Sequence, residues 1–382
     1  MSTSFLHGIE VIEITDGARP IRTVTSSVIG LIGTAPQAKA NAFPVNTPTL
    51  IAGSRSAIKT LGSSGTLAPA IDGIFDQIGA SVVVIRVDEG ANPAETQANI
   101  VGSNISMTGL WAFTGAMSKL GVQPRILIAP GFSNISAVTT ELLSVARRMR
   151  AIVVVDGPNT TDAEAILFAE GFGNDRLYII DPQVQIDRNG VIVNEPSSSR
   201  VAGLIAKSDN DHGFWRSPSN QEILGIVGTT RSIDFALNDR STSANLLNEK
   251  NIATILRQNG FRLWGNRSTS SDPKYAFLSV RRTADMICDS ILRAHLWAVD
   301  RNITKTYLSD VTEGVTQYLR HLQNQGAIIG GNCWADPDLN SPTNIADGKV
   351  YFNFDFAPPY PAERITFQAQ INNNYLTEII KK

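Results

Sequence analysis

The feature that most restricts this chain is a repeated alternation of amphipathic helix and short, wholly apolar strand between residues 67 and 180. Leu67, Ile71, Ile74, Phe75 and Ile78 fall on one helical stripe, and VVVIRV (residues 82–87) follows as a continuous apolar run. The order recurs as helix 110–117 and strand 125–129 (RILIA), helix 137–150 and strand 151–155 (AIVVV), then helix 163–172 and strand 177–180 (LYII). Strands without polar alternation must be covered on both faces, which is the situation of a parallel sheet between helical layers. SVIGLI (27–32) and residues 49–52 supply two more. The fold class expected is therefore α/β with a mostly parallel sheet.

At 382 residues the chain exceeds the ~250 to 300 residues at which single cores stop growing. After Gly203 the composition turns to loop residues, with Asp209, Asn210, Gly213, Pro218, Ser219 and Asn220 close together. We divide the chain into an N-terminal arm (1–22), an α/β domain (23–244), an α+β core domain (245–360) and a C-terminal strand or arm (361–382). In the third part, Ile252, Ile255 and Leu256 share a helical spacing stopped by Asn259-Gly260, and Phe261, Leu263 and Trp264 form a strand candidate. A polar loop follows, containing Asn266, Arg267 and Asp272. It either satisfies backbone groups at a strand end or fixes geometry beside a partner. Helices are expected around 282–299 and at 309–325. In the latter, Val311, Val315, Tyr318, Leu319 and Leu322 serve the core, and Glu313, Gln317, Arg320 and Gln323 form the polar side.

Both ends of the chain have strand patterns. GIEVIEI (8–14) opens it, and two alternating runs close it. Phe352, Phe354 and Phe356 oppose Tyr351, Asn353 and Asp355, and residues 365–371 alternate again before NNNYLTEIIKK. Unpaired strands invite pairing with another chain. Ile9, Val11, Ile12 and Ile14, with Ile371, Tyr375, Leu376, Ile379 and Ile380, are thus candidates for donation into sheets of neighbouring copies.

Chemistry finds little purchase. Thirty-three basic against thirty-five acidic residues give a net charge of -2, with no general attraction to nucleic acid or anionic lipid. The basic groups Arg147, Arg148, Arg150 and Arg281, Arg282 lack interleaved aromatics. Cys288 and Cys333 are too few for a disulfide framework, and His7, His212, His295 and His321 are scattered. Gly30 and Gly33 do not have dinucleotide spacing and suggest a tight turn, and no phosphate-loop motif occurs. No cofactor or metal is expected. No run approaches the ~18 apolar residues of a membrane span, and no signal-peptide pattern opens the chain, so folding in the cytosol is expected.

Three runs resemble one family. GFRLWGNRSTSSD followed by VRRTADMI, SDNDHGFWRSPSNQEILGI (208–226) and residues 5–36 are similar to contractile tail sheath proteins of bacteriophages and R-type bacteriocins, in the expected order. The lack of an extra peripheral domain points to the short, P2-like type. The resemblance implies a subtilisin-like α/β domain and a C-terminal sheath domain with extended terminal β-arms. It implies a non-enzymatic subunit that stacks as hexameric rings around an inner tail tube protein, meets baseplate and tail terminator proteins, and contracts to drive the tube through a cell envelope. Assembly would occur in the host bacterial cytoplasm, and the product would be a virion tail or released particle. The tube contact would fall on Glu313, Gln317, Arg320 and Gln323, with Asn266, Arg267 and Asp272 as struts. The subtilisin likeness raises a protease, since Asp156 and His212 occur in the right chain order. No Ser stands at Gly228-Thr229-Thr230-Arg231, where the nucleophile would be. The alternative function is an α/β hydrolase-like enzyme with an unrecognised site.

Overall fold

The computed structural model describes residues 20–379. Its main sheet begins with β1 (Ile29–Thr34), β2 (Thr49–Ala52), β3 (Ser81–Val87), β4 (Ile126–Ile128), β5 (Ile152–Asp156) and β6 (Leu177–Ile180). β7 (Val184–Arg188), β8 (Val191–Glu195) and β9 (Gly228–Thr229) form a small separate sheet. β10 (Ile252–Arg257) and β11 (Phe261–Trp264) then return to the main one, and β12 (Gly330–Ala335) pairs with β13 (Phe352–Ala357). The main sheet runs β11-β10-β6-β5-β4-β1-β3-β2, with every pair from β10 to β3 parallel and only the two edge pairs antiparallel.

Period-two alternation explains why these strands are apolar throughout. Leu31, Val84, Ile128 and Val154 point into one core, while Ile32, Val83, Leu127 and Val153 point into another on the opposite face. On the first face lie α1 (Leu67–Phe75) and, later in the chain, a long helix at 197–212. The second face is covered by α2 (Pro93–Val101), α3 (Ala116–Leu120), α4 (Ser136–Met149) and α5 (Asp162–Glu170) with the turns between them. The long helix is α6 (Ser197–His212), and it meets α1 closely at Gly203. A Cβ there would stand 2.7 Å from the Ile74 carbonyl oxygen, so any side chain would push the two helices apart.

The remaining helices are α7 (Ser243–Glu249), α8 (Leu278–Ala294), α9 (Lys305–Asn324) and α10 (Pro342–Ala346). A third, smaller core lies between α8, α9 and the β12–β13 ladder. Met286 and Ile287 meet Val315, Tyr318, Leu319 and Leu322 there, with Ile328, Cys333 and the three alternating Phe residues of β13. The apolar stripe read for 309–325 is buried as expected.

Two expectations change. Residues 252–256 are strand and not helix: Ile252 through Leu256 are all buried, and an apolar run this short fits either element by spacing alone. Asn259 and Gly260, both at positive φ, turn a hairpin instead of stopping a helix. β10 pairs with β6, so the main sheet runs past the boundary drawn at residue 244. The alternating run at 365–371 has no ladder partner among the described residues.

Candidate functional site

The residues that raised a protease lie far apart. Asp156 ends β5 fully enclosed, and its carboxylate accepts from the Ser198 N–H (2.8 Å), the Ser198 hydroxyl (2.6 Å) and the Ser133 hydroxyl (3.1 Å). Burial pushes its pKa up, against the pull of the Ser198 and Ser133 hydrogen bonds. The group thereby fills the N-terminal pole of α6, where free N–H groups need an acceptor. His212 is the last residue of that same helix, 14 residues beyond Ser198, or about 21 Å at 1.5 Å per residue. Thr230 donates to Asn159 and to the Gln183 carbonyl oxygen, and Arg231 pairs with Asp181 and Asp162. No hydrogen-bonded line joins these groups into a triad. Gly30 and Gly33 lie inside β1 and not in a turn; a Cβ on Gly30 would meet Leu127 at 2.6 Å. Among the described residues no cluster of three His, Cys, Asp or Glu could hold a metal, and both cysteines are free.

What the block at 278–294 builds is a clamp. Along α8, Arg281, Asp285, Asp289 and Arg293 follow at four-residue intervals and so share a face. Arg176, just before β6, grips both oxygens of Asp285 at 2.5 and 2.8 Å, and Arg281 reaches the same carboxylate at 2.9 Å and Asp175 at 3.0 Å. Arg125, just before β4, pairs with Asp289, which Arg293 also holds. Arg282 grips Asp209 of α6 through two bonds of 2.5 Å. Most of these side chains are buried. The basic pair Arg281-Arg282 is thus consumed inside the molecule, fixing α8 and the small core behind it to the starts of the central strands. The sequence reading missed Arg125, Arg176, Asp285 and Asp289, although charges at four-residue spacing within an apolar helix were a visible signal.

The polar loop after β11 continues this anchoring. The Asn266 backbone oxygen accepts from Leu278 N–H at 3.0 Å, Ser268 N–H donates to Ala276, and Asp272 caps the turn at Lys274. Arg267 reaches farther, donating Nε and Nη2 to the two oxygens of Glu363 at 2.8 and 2.6 Å. Those bonds, with desolvation opposing them, raise the guanidinium pKa. Beyond Glu363 the chain is exposed: Phe367 and Ile371 are over 90% accessible, and Tyr375, Leu376 and Ile379 are also exposed. Ile9, Val11, Ile12, Ile14 and Ile380 lie outside the described residues. On α9, Glu313, Gln317, Arg320 and Gln323 are all exposed. Arg320 has no ion-pair or hydrogen-bond partner among the described residues and lines a shallow groove with Thr312, Thr316 and Cys333.

Family models match three consecutive stretches: "Tail sheath protein Gp18 domain III N-terminal region" at residues 26–87, "Phage tail sheath protein central domain" at 105–269 and "Phage tail sheath C-terminal domain" at 270–372. A prophage protein of Pseudomonas aeruginosa (strain UCBPP-PA14), named as a major tail sheath protein, is 44% identical over 99% of both chains. The tail sheath protein of Escherichia phage P2 is 34% identical over 99% of this chain and 98% of its own. Among solved structures, the helical sheath of the anti-feeding prophage in its contracted state superposes with a TM-score of 0.73 at 19% identity, covering 97% of this chain and all of that one.

Proposed function

Because the chain belongs to the phage tail sheath family and is a structural sheath subunit, we propose that it polymerises as hexameric rings stacked around an inner tail tube. The finished sheath contracts to drive that tube through a cell envelope. The observation that carries this reading is an unpaired run beside an unfinished ladder. Among the described residues, 365–371 form an apolar-alternating run without a ladder partner, and the β12–β13 ladder has only two strands, each with an open outer edge. A strand donated from one copy to the open edge of the next satisfies both. Such head-to-tail contacts do not close in a dimer but generate rings and helices.

The N-terminal residues 1–22 take the same role at the other end of the chain, and residues 23–244 retain the subtilisin-like description, supported by five mutually parallel strands between helical layers. The α8 clamp suits a subunit that moves as a rigid body while its arms act as hinges. The polar, exposed face of α9 at Glu313, Gln317, Arg320 and Gln323 suits a tube contact that is released on firing. Baseplate and tail terminator proteins are the end partners, and the product is a virion tail or contractile particle assembled in the host cytoplasm. Deleting residues 364–382, which removes the 365–371 run with everything after it, tests the reading. A folded monomer that no longer polymerises is expected, and sheath-like tubes in electron micrographs of that variant would overturn it.

A further inference from the structure

We propose that Arg267 and Glu363, backed by Phe277 and Tyr360, are positioning residues for assembly: they clamp the root of the C-terminal arm and aim its strand toward a second copy of this chain. The inference rests on the arm reading above and adds what sets the arm's direction.

Four contacts converge at the root. Arg267 makes a two-pronged pair with Glu363, and its guanidinium lies 4.8 Å from the centroid of the Phe277 ring. Phe277 in turn meets Tyr360 edge-on at 6.2 Å, and the backbones of Arg267 and Phe277 bridge. Phe277 immediately precedes α8, so the clamp is mounted on the helix that the buried ion pairs fix to the central sheet. On the far side of Glu363 there is nothing comparable: residues 364–371 have no hydrogen bond or ion pair with any described residue. Glu363 is the last tie before the run 365–371.

As a folding contact this pair has little to offer. Its side chains are 37% and 40% exposed, and solvent screening leaves such pairs little share in stability. Its geometry nevertheless matters for a tethered strand. Pro358, Pro359 and Pro361 keep this segment extended at about 3.1 Å per residue, so it swings as a stiff arm. With the clamp closed, two residue steps from Glu363 to Ile365 give a reach of roughly 6 Å; opening the ion pair alone leaves five steps from Tyr360, roughly 16 Å, and opening Tyr360 as well leaves eight from the end of β13, roughly 25 Å. The surface swept by the tip grows with the square of that length, about sixfold and about sixteenfold, and the effective concentration of the arm at its target falls by the same factor.

The test measures the critical concentration for polymerisation by sedimentation, beside the melting temperature of the unassembled subunit. Glu363→Ala is expected to raise the critical concentration about sixfold, and Glu363→Ala with Tyr360→Ala about sixteenfold, with melting unchanged. Arg267→Glu should do the same alone and be rescued by Glu363→Arg in the same chain, since the coupled pair is non-additive. Single variants that polymerise at the parent concentration, while deletion of 364–382 still abolishes assembly, would overturn the clamp and leave the arm reading intact. Polymerisation of the deletion variant would remove both. Lowered melting that the charge swap does not restore would also overturn the clamp, by showing an ordinary structural contact.

Discussion

Replacing Asp285 with Ala should destabilise the folded subunit more than any exposed charge change. The carboxylate is 1% exposed and is held by both Arg176 nitrogens and by Arg281. Arg281 retains Asp175 at 3.0 Å, but the Arg176 guanidinium keeps only the Ala151 carbonyl oxygen at 3.1 Å and stays out of water. Breaking a buried pair by removing one partner costs about 3–5 kcal/mol, because the surviving charge is left uncompensated. At an unfolding entropy of about 2.1 cal/mol/K per residue, a chain of 382 residues has roughly 0.8 kcal/mol/K, so the melting temperature should fall by about 4–6 °C. Differential scanning calorimetry of the unassembled subunit reads this directly, and added salt should change the difference little because the pair is buried. Arg176→Met with Asp285→Leu should recover most of the loss, since neither buried charge then remains. A drop below about 1 °C, or a double variant no better than the single, would refute the view of α8 as an ionic clamp.

Asp181 carries a pH dependence of definite sign. Burial raises its pKa to about 6 despite the pairing with Arg231. A carboxyl that holds its proton more tightly when folded stabilises most below its unfolded pKa and loses that contribution as pH rises through 6. Asp181→Asn should therefore gain stability relative to the parent by about 2–3 kcal/mol between pH 4 and pH 7, and parallel melting profiles would contradict this. Leu319→Ala, at the centre of the smallest core, should cost about 2–5 kcal/mol in denaturant unfolding. Arg320→Glu is expected to weaken co-assembly with the inner tube protein while sparing empty sheath, and equal loss of both in electron micrographs would indicate misfolding instead.

Legibility followed the physics of each segment. The central strands could be read because burial on both faces leaves no room for polar residues, and the α9 stripe because its five apolar positions repeat at the helical period. Residues 252–256 could not, since Ile252, Ile255 and Leu256 satisfy a helical spacing and a doubly buried strand equally. α2 was passed over because Ile100 alone among its residues is buried, although Asn92 caps it and Pro93 opens it. Arg267 was singled out as a strut; its partner Glu363 lies 96 residues away and bears no local pattern that names it.

The sequence by itself determined the α/β class, the apolar faces and the family resemblance, because each is written in residue types at short spacing. Tertiary structure decided how those pieces share charges and edges. It spent Arg281 and Arg282 on buried carboxylates, carried the main sheet past residue 244, parted Asp156 from His212 by the length of α6, and tied the last arm to Arg267. These are pairings between distant positions, and their energies depend on burial and geometry that no local spacing encodes.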